Sequence, residues 1–188
     1  MQLGCTLCFK FISSFGIGAG IGDINNKNTA ECFENLKKIY RPDNIINGYN
    51  RPYLLPNLWI SDKITSNTSQ YIDLLFDDRK EINEIIIFFN SNLNIERNNL
   101  RPGLWRKSDC EMPRELVKEY KIFTLNDDAQ PSQLLIHEKN NKGRYVKHKI
   151  EYCNNSGLNC TVKANGIRIE VIDTWGNPYA EIFEVRIY

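Results

Sequence analysis

Apolar residues recur at every second position through most of the chain from Gln70 onward. In "QYIDLLFD" the pattern sends Ile72, Leu74 and Phe76 to one side and Tyr71, Asp73, Leu75 and Asp77 to the other, as a half-buried strand requires. "INEIIIFFN", Ile82 to Asn90, is β-branched or aromatic on both faces, which predicts a strand inside a packed sheet. "VKEYKIFTL" aligns Tyr120 with Ile122, and "RYVKHKI" alternates Val146, His148 and Ile150 with Lys147 and Lys149. "GIRIEVI" and "EIFEVRIY" continue the period with Ile167, Ile169 and Val171, then Phe183, Val185 and Ile187. Those eight residues, Tyr120 and Ile122 included, form the predicted core. A helical period occurs once, in "TAECFENLKKIY", where Phe33, Leu36 and Tyr40 share a face that starts at a capping Thr29 and stops before Pro42. Short alternating strands joined by Asn/Pro/Gly-rich links predict an all-β, antiparallel β-sandwich behind one short N-terminal helix. The segment from Ser91 to Glu115 has no period and carries Trp105; a loop of that length faces a ligand more often than it merely connects.

Composition narrows the function classes. A chain of 188 residues suits one domain with a real core. With 24 basic against 23 acidic residues the net charge is +1, so the basic footprint of a nucleic-acid binder is missing. "MQLGCTLCFKFISSF" lacks a basic start and is interrupted by Lys10, and no stretch is long enough to span a membrane. The expectation is a cytoplasmic protein, unless the sequence is a fragment. The six cysteines suggest no disulfide framework: Cys5 and Cys8 lack the second close pair of a zinc site, Cys153 and Cys160 are too far apart for one, and Cys32 and Cys110 read as ordinary small residues.

Nucleotide chemistry is equally hard to place. "FGIGAGIGD", Phe15 to Asp23, fails the dinucleotide fingerprint in both registers, and Gly22 is followed by Asp23 where a P-loop needs Lys. His137 and His148 belong to no local catalytic motif and read as structural. Asp77 with Asp78 and Asp127 with Asp128 fall where carboxylates hold turns. A binding role fits the aromatic residues that stand beside planar hydrogen-bonding groups in the links: Tyr53 with Arg51, Trp105 with Arg106, and Trp175 with Asn177 and Tyr179. Trp59 reads as core.

Four stretches carry a family resemblance: "NIINGYNRPYLLPNLWISD", "QYIDLLFDDRKEINEIIIFFNSNL", "PRELVKEYKIFTL" and "NGIRIEVIDTWGNPYAEIFEVRIY". Together they resemble a galactose-binding-like (jelly-roll) sandwich of the discoidin, or coagulation-factor type C, kind. In order and motif they are more similar still to the C-terminal module of bacterial FAD-dependent oxidoreductases. The resemblance spans residues 44–188 and makes residues 1–43 a leader with a short helix, a remnant of an upstream FAD-domain junction. It implies a non-catalytic accessory sandwich that itself binds no FAD and partners an FAD-dependent oxidoreductase domain. The alternative is a free-standing carbohydrate-binding module using the loop aromatics. The resemblance also implies a structural calcium at the positions of Asn47 and Glu184, where Asn47 lacks the usual charge. A docking module should expose an apolar sheet face, a sugar-binding module an aromatic platform at a loop end.

Overall fold

The structure is a computed structural model and describes residues 39–92, 112–150 and 161–188. "FGIGAGIGD", the six cysteines, Trp105, Arg106 and all but the end of the expected helix lie outside the described residues.

Among the described residues, eight strands follow a short 3₁₀ helix at Pro42–Ile46. They are β1 (Trp59–Lys63), β2 (Gln70–Ile82), β3 (Glu84–Phe89), β4 (Val117–Leu125), β5 (Pro131–Glu138), β6 (Tyr145–Lys149), β7 (Val162–Thr174) and β8 (Tyr179–Ile187). They form two four-stranded antiparallel sheets, ordered β1-β8-β3-β6 and β2-β7-β4-β5. The expected antiparallel sandwich is the observed fold. Alternation does not announce β5, an edge strand opened by Pro131 whose inner and outer positions are all partly in water.

The core lies between the sheets because each sheet turns one parity inward. Across the second sheet Ile72, Ile169 and Ile122 sit in register, all fully buried, with Leu74, Ile167 and Thr124 in the next row. Gly166 allows β2 and β7 to close up: a Cβ there would run into the carbonyl oxygen of Leu74. Beyond that contact the register shifts over Phe76 to Arg79 opposite Asn165; Phe76 still packs against the core with Ile72 and Leu74.

The first sheet departs from the predicted parity in β8. Val185 pairs with Ile87 and faces inward, and Ile187 packs against the same core. Phe183 does not join them. Phe88 pairs with Glu184 but Phe89 pairs with Ile182, so Phe183 is an extra residue in a bulge and faces out of the sandwich. There it meets Leu58, Ile86 and Phe88, with Tyr40 and Ile60 packed alongside. Tyr40 and Leu58, from the chain before β1, thus pack on the outer face of this sheet, with Tyr145 against Phe88, while Ile45 and Ile46 between them join the inner core; β3 is accordingly apolar on both faces.

One polar link ties the layers, and a second braces the outer face of one sheet. Tyr120 of β4 and His148 of β6, in opposite sheets, are hydrogen-bonded at 2.7 Å. Burial lowers the pKa of His148 against a smaller raising effect of Glu138, and burial raises that of Tyr120. Burial thus favours the uncharged form of both partners. On the outer face of the second sheet Arg168 grips nearly fully buried Asp73 through two 2.7 Å bonds and lies 4.0 Å from the Tyr71 ring centroid.

Two expectations follow. Gly166→Ala forces the β2–β7 backbones apart and lowers unfolding free energy by about 2–3 kcal/mol in urea titration. Because the folded pKa of His148 lies below its unfolded value near ~6.5, its contribution is complete above that value. It is lost as pH falls from there toward the folded pKa, since only the unfolded chain takes up the proton. Differential scanning calorimetry of wild type and His148→Phe should show a melting-temperature decline in this window that is shallower in the variant.

Candidate functional site

The antiparallel order brings four links to one end of the sandwich: β1–β2, β3–β4, β5–β6 and β7–β8. Backbone hydrogen bonds sew them together, from Asn90 to Glu181, Asn177 to Arg114, Trp175 to Leu116, Asn141 to Lys118 and Ile64 to Pro178. The strap that precedes β1 reaches the same end.

That strap is held in an unusual shape. Gly48 at φ 85° turns the chain after Asn47, whose side-chain oxygen accepts the Tyr49 N–H at 2.9 Å while its amide donates to Asn57. Asn57, itself at φ 52°, donates to the carbonyls of Tyr53 and Leu55 at 2.9 and 3.0 Å. Between those carbonyls Leu54 sits at φ 58°, a strained setting for a bulky side chain, inside reciprocal Tyr53–Leu55 backbone bonds. Pro52 and Pro56 stiffen both flanks. The result holds Leu54 94 % exposed and Tyr53 55 % exposed. Tyr53 stacks on Tyr49 with centroids 5.6 Å apart and planes 14° apart. Arg144 anchors the strap by donating to the Asn50 carbonyl; its pKa is lowered by burial and by the charge of Arg51.

Facing the strap is a cleft of about 610 Å³. Tyr53, Leu55 and Phe183 supply its apolar side, and Asn90, Glu115 and Glu181 its polar side, with Asn92 beside them. Asn90 and Asn177 each donate to one carboxylate oxygen of Glu181, and Asn92 donates to Glu115 at 2.8 Å. Burial is the main cause of the raised pKa of Glu181; the charge of Glu115 adds to it, and the two amide donors oppose it. Carboxamides and carboxylates held this way present fixed planar hydrogen-bonding groups beside an aromatic face.

The sequence-derived candidates separate. Tyr53 lines the cleft, Arg51 is exposed next to it on the strap, and Asn177 is tied to the wall through Glu181. Tyr179 is exposed at the start of β8, paired with Lys63. Trp175 packs against the core, donates its indole N–H to the Asn141 carbonyl at 2.8 Å and carries Lys118 at 5.6 Å from its ring. Trp105 and Arg106 lie outside the described residues. His148 has the structural partner described above, and His137 pairs with Glu119 at 2.8 Å. Sequence reasoning missed Tyr49, Asn90, Asn92, Glu115 and Glu181. Of these, Asn90 and Asn92 fall in the "FNSN" end of a stretch that carries the family resemblance.

Of the two positions where the resemblance implies calcium, Asn47 bonds within the strap, and both oxygens of Glu184 accept from Arg186 at 2.8 and 2.9 Å. Among the described residues no cluster of three or more His, Cys, Asp or Glu is arranged to hold a metal, and no helix is long and apolar enough to cross a membrane.

No protein-family model matches the chain, and no curated protein sequence does. Solved structures do. A family 32 carbohydrate-binding module from Streptococcus pneumoniae EndoD superposes with a TM-score of 0.57 at 12% identity, covering 97% of this chain and 95% of the module. The fold is a galactose-binding-like β-sandwich. A chitosan-binding module of a Paenibacillus chitosanase/glucanase matches at 0.53 and 12% identity, over 80% of this chain and 86% of that one. A family 32 module solved with 4,5-unsaturated mannuronic acid matches at 0.54 and 13% identity, over 95% and 93%. None of these comparisons links the galactose-binding-like sandwich to FAD-dependent oxidoreductases.

If the strap is rigid because Asn57 clamps it, Asn57→Ala should cost about 1–3 kcal/mol, because the carbonyls of Tyr53 and Leu55 each lose a donor. It should also expose the chain between Tyr49 and Pro56 to limited proteolysis that spares the wild type.

Proposed function

We propose that this sandwich binds carbohydrate at the cleft between the strap and the Asn90–Glu181 wall. The observation that carries the reading is the stacked Tyr49–Tyr53 pair, held in water by a strained turn and bordering fixed carboxamides and carboxylates. A pyranose has one face of C–H bonds that suits an aromatic ring and a rim of hydroxyls that suits such planar groups. The folds it resembles include modules described as chitosan-binding and pectin-binding, which supports the class of ligand without naming one.

The alternative role, docking onto an FAD-dependent oxidoreductase domain, draws no support from the sheet faces. On the outer face of the first sheet Ile86, Phe88 and Phe183 are buried, with Leu58 and Tyr40 packed on them. On the outer face of the second, Tyr71, Asp73 and Arg168 are engaged with one another.

Isothermal titration of the chain with a panel of neutral, amino and acidic oligosaccharides tests the reading. At least one should bind, and Tyr53→Ala should weaken it about tenfold or more, the loss of one good aromatic contact. Binding unaffected by Tyr53→Ala and Tyr49→Ala would place the site elsewhere; no binding by any sugar would overturn the proposal.

A further inference from the structure

The charges in the cleft are of one sign. Glu115 and Glu181 both line it, and among the described residues no Lys, Arg or His does. Elsewhere the sandwich neutralises its most buried carboxylates from within: Asp73 is held by Arg168 and Glu184 by Arg186. Glu181, 8 % exposed, is instead held by the amides of Asn90 and Asn177, and Glu115 by the amide of Asn92. Amide donors orient a carboxylate and satisfy part of its hydrogen-bonding capacity, but they bring no positive charge. Each oxygen of Glu181 receives one N–H and keeps capacity for another donor. Arg144 anchors the strap and lies over Phe183, Arg51 stands beside it, and Arg114 packs against Gly176; none of the three is in the lining.

From this we infer that the cleft selects a sugar bearing a free amino group, whose ammonium sits against Glu115 and Glu181 while its ring lies on Tyr53. The inference rests on the carbohydrate reading and narrows it to amino sugars. An ammonium offers three N–H donors to the two carboxylates, and the half-buried setting strengthens that attraction relative to open water. An N-acetylated sugar loses the charge and adds bulk. A uronate places a like charge against both residues, which a one-sign site rejects.

The test is calorimetric titration of the full chain, at mildly acidic pH, with three probes: a β-1,4-linked glucosamine oligosaccharide, its N-acetylated counterpart and a galacturonate oligosaccharide. The glucosamine probe should bind about tenfold more tightly than either other probe, with the margin shrinking as salt is added. Glu115→Gln, which keeps an acceptor for Asn92, should bring the amino and N-acetyl probes to nearly equal affinity, with a melting temperature close to wild type. Equal or tighter binding of the N-acetyl or uronate probe, or a preference that survives both Glu115→Gln and Glu181→Gln, overturns the inference. If such binding is lost in Tyr53→Ala, the carbohydrate reading stands and only the amino-sugar assignment falls; if none of the three probes binds, the amino-sugar assignment falls, and the wider sugar panel decides the reading beneath it.

Discussion

The single extra residue that β8 carries opposite the Phe88–Phe89 step governs both faces of the first sheet. On one side of the bulge Val185 and Ile187 point into the sandwich; on the other, Ala180 and Ile182 do. An unbroken strand would keep odd-numbered residues inward throughout and bury Glu181 among isoleucines, a cost no local partner could offset. With the bulge, Glu181 reaches the cleft and Phe183 becomes the floor on which the strap rests. The second core and the candidate site are two results of one irregularity in a central strand.

The strap is the other half of that arrangement. It closes the outer core through Leu58 and Tyr40 and lifts Tyr49, Tyr53 and Leu54 into solvent at its turn. Burial at one part of a segment stabilises strain at another, which is how a positive-φ leucine persists far from any packing of its own. Asn47 shows how the same residue type reads differently in context. At a position where the resemblance implied a metal ligand, it is a turn-forming residue whose carbonyl oxygen caps Tyr49 and whose amide reaches Asn57.

Much of the sandwich was legible because strand alternation reports burial directly. Ile72, Leu74, Ile122, Ile167, Ile169 and Val171 all fall where their parity put them. Parity fails where the period itself breaks. The bulges at Phe76–Arg79 and at Phe183 have no composition signal, so Phe183 was grouped with Val185 although they face opposite ways. The site was less legible for a related reason. Tyr53 and Asn177 stood out as an aromatic and an amide in links, but Glu181 and Glu115 become partners of Asn90 and Asn92 only when segments distant in sequence converge. Trp175 stands in the link between β7 and β8, and no local pattern foretells that its indole N–H reaches the Asn141 carbonyl across the sandwich end.

The clamped turn at Leu54 also bears on time. A surface already fixed in its binding shape loses little conformational freedom when a ligand arrives, and needs no slow rearrangement before contact. Encounter with the tyrosine platform should therefore run at a rate set by diffusion and orientation, nearly the same for well-matched and poorly matched ligands. Discrimination among them then resides in how long each stays.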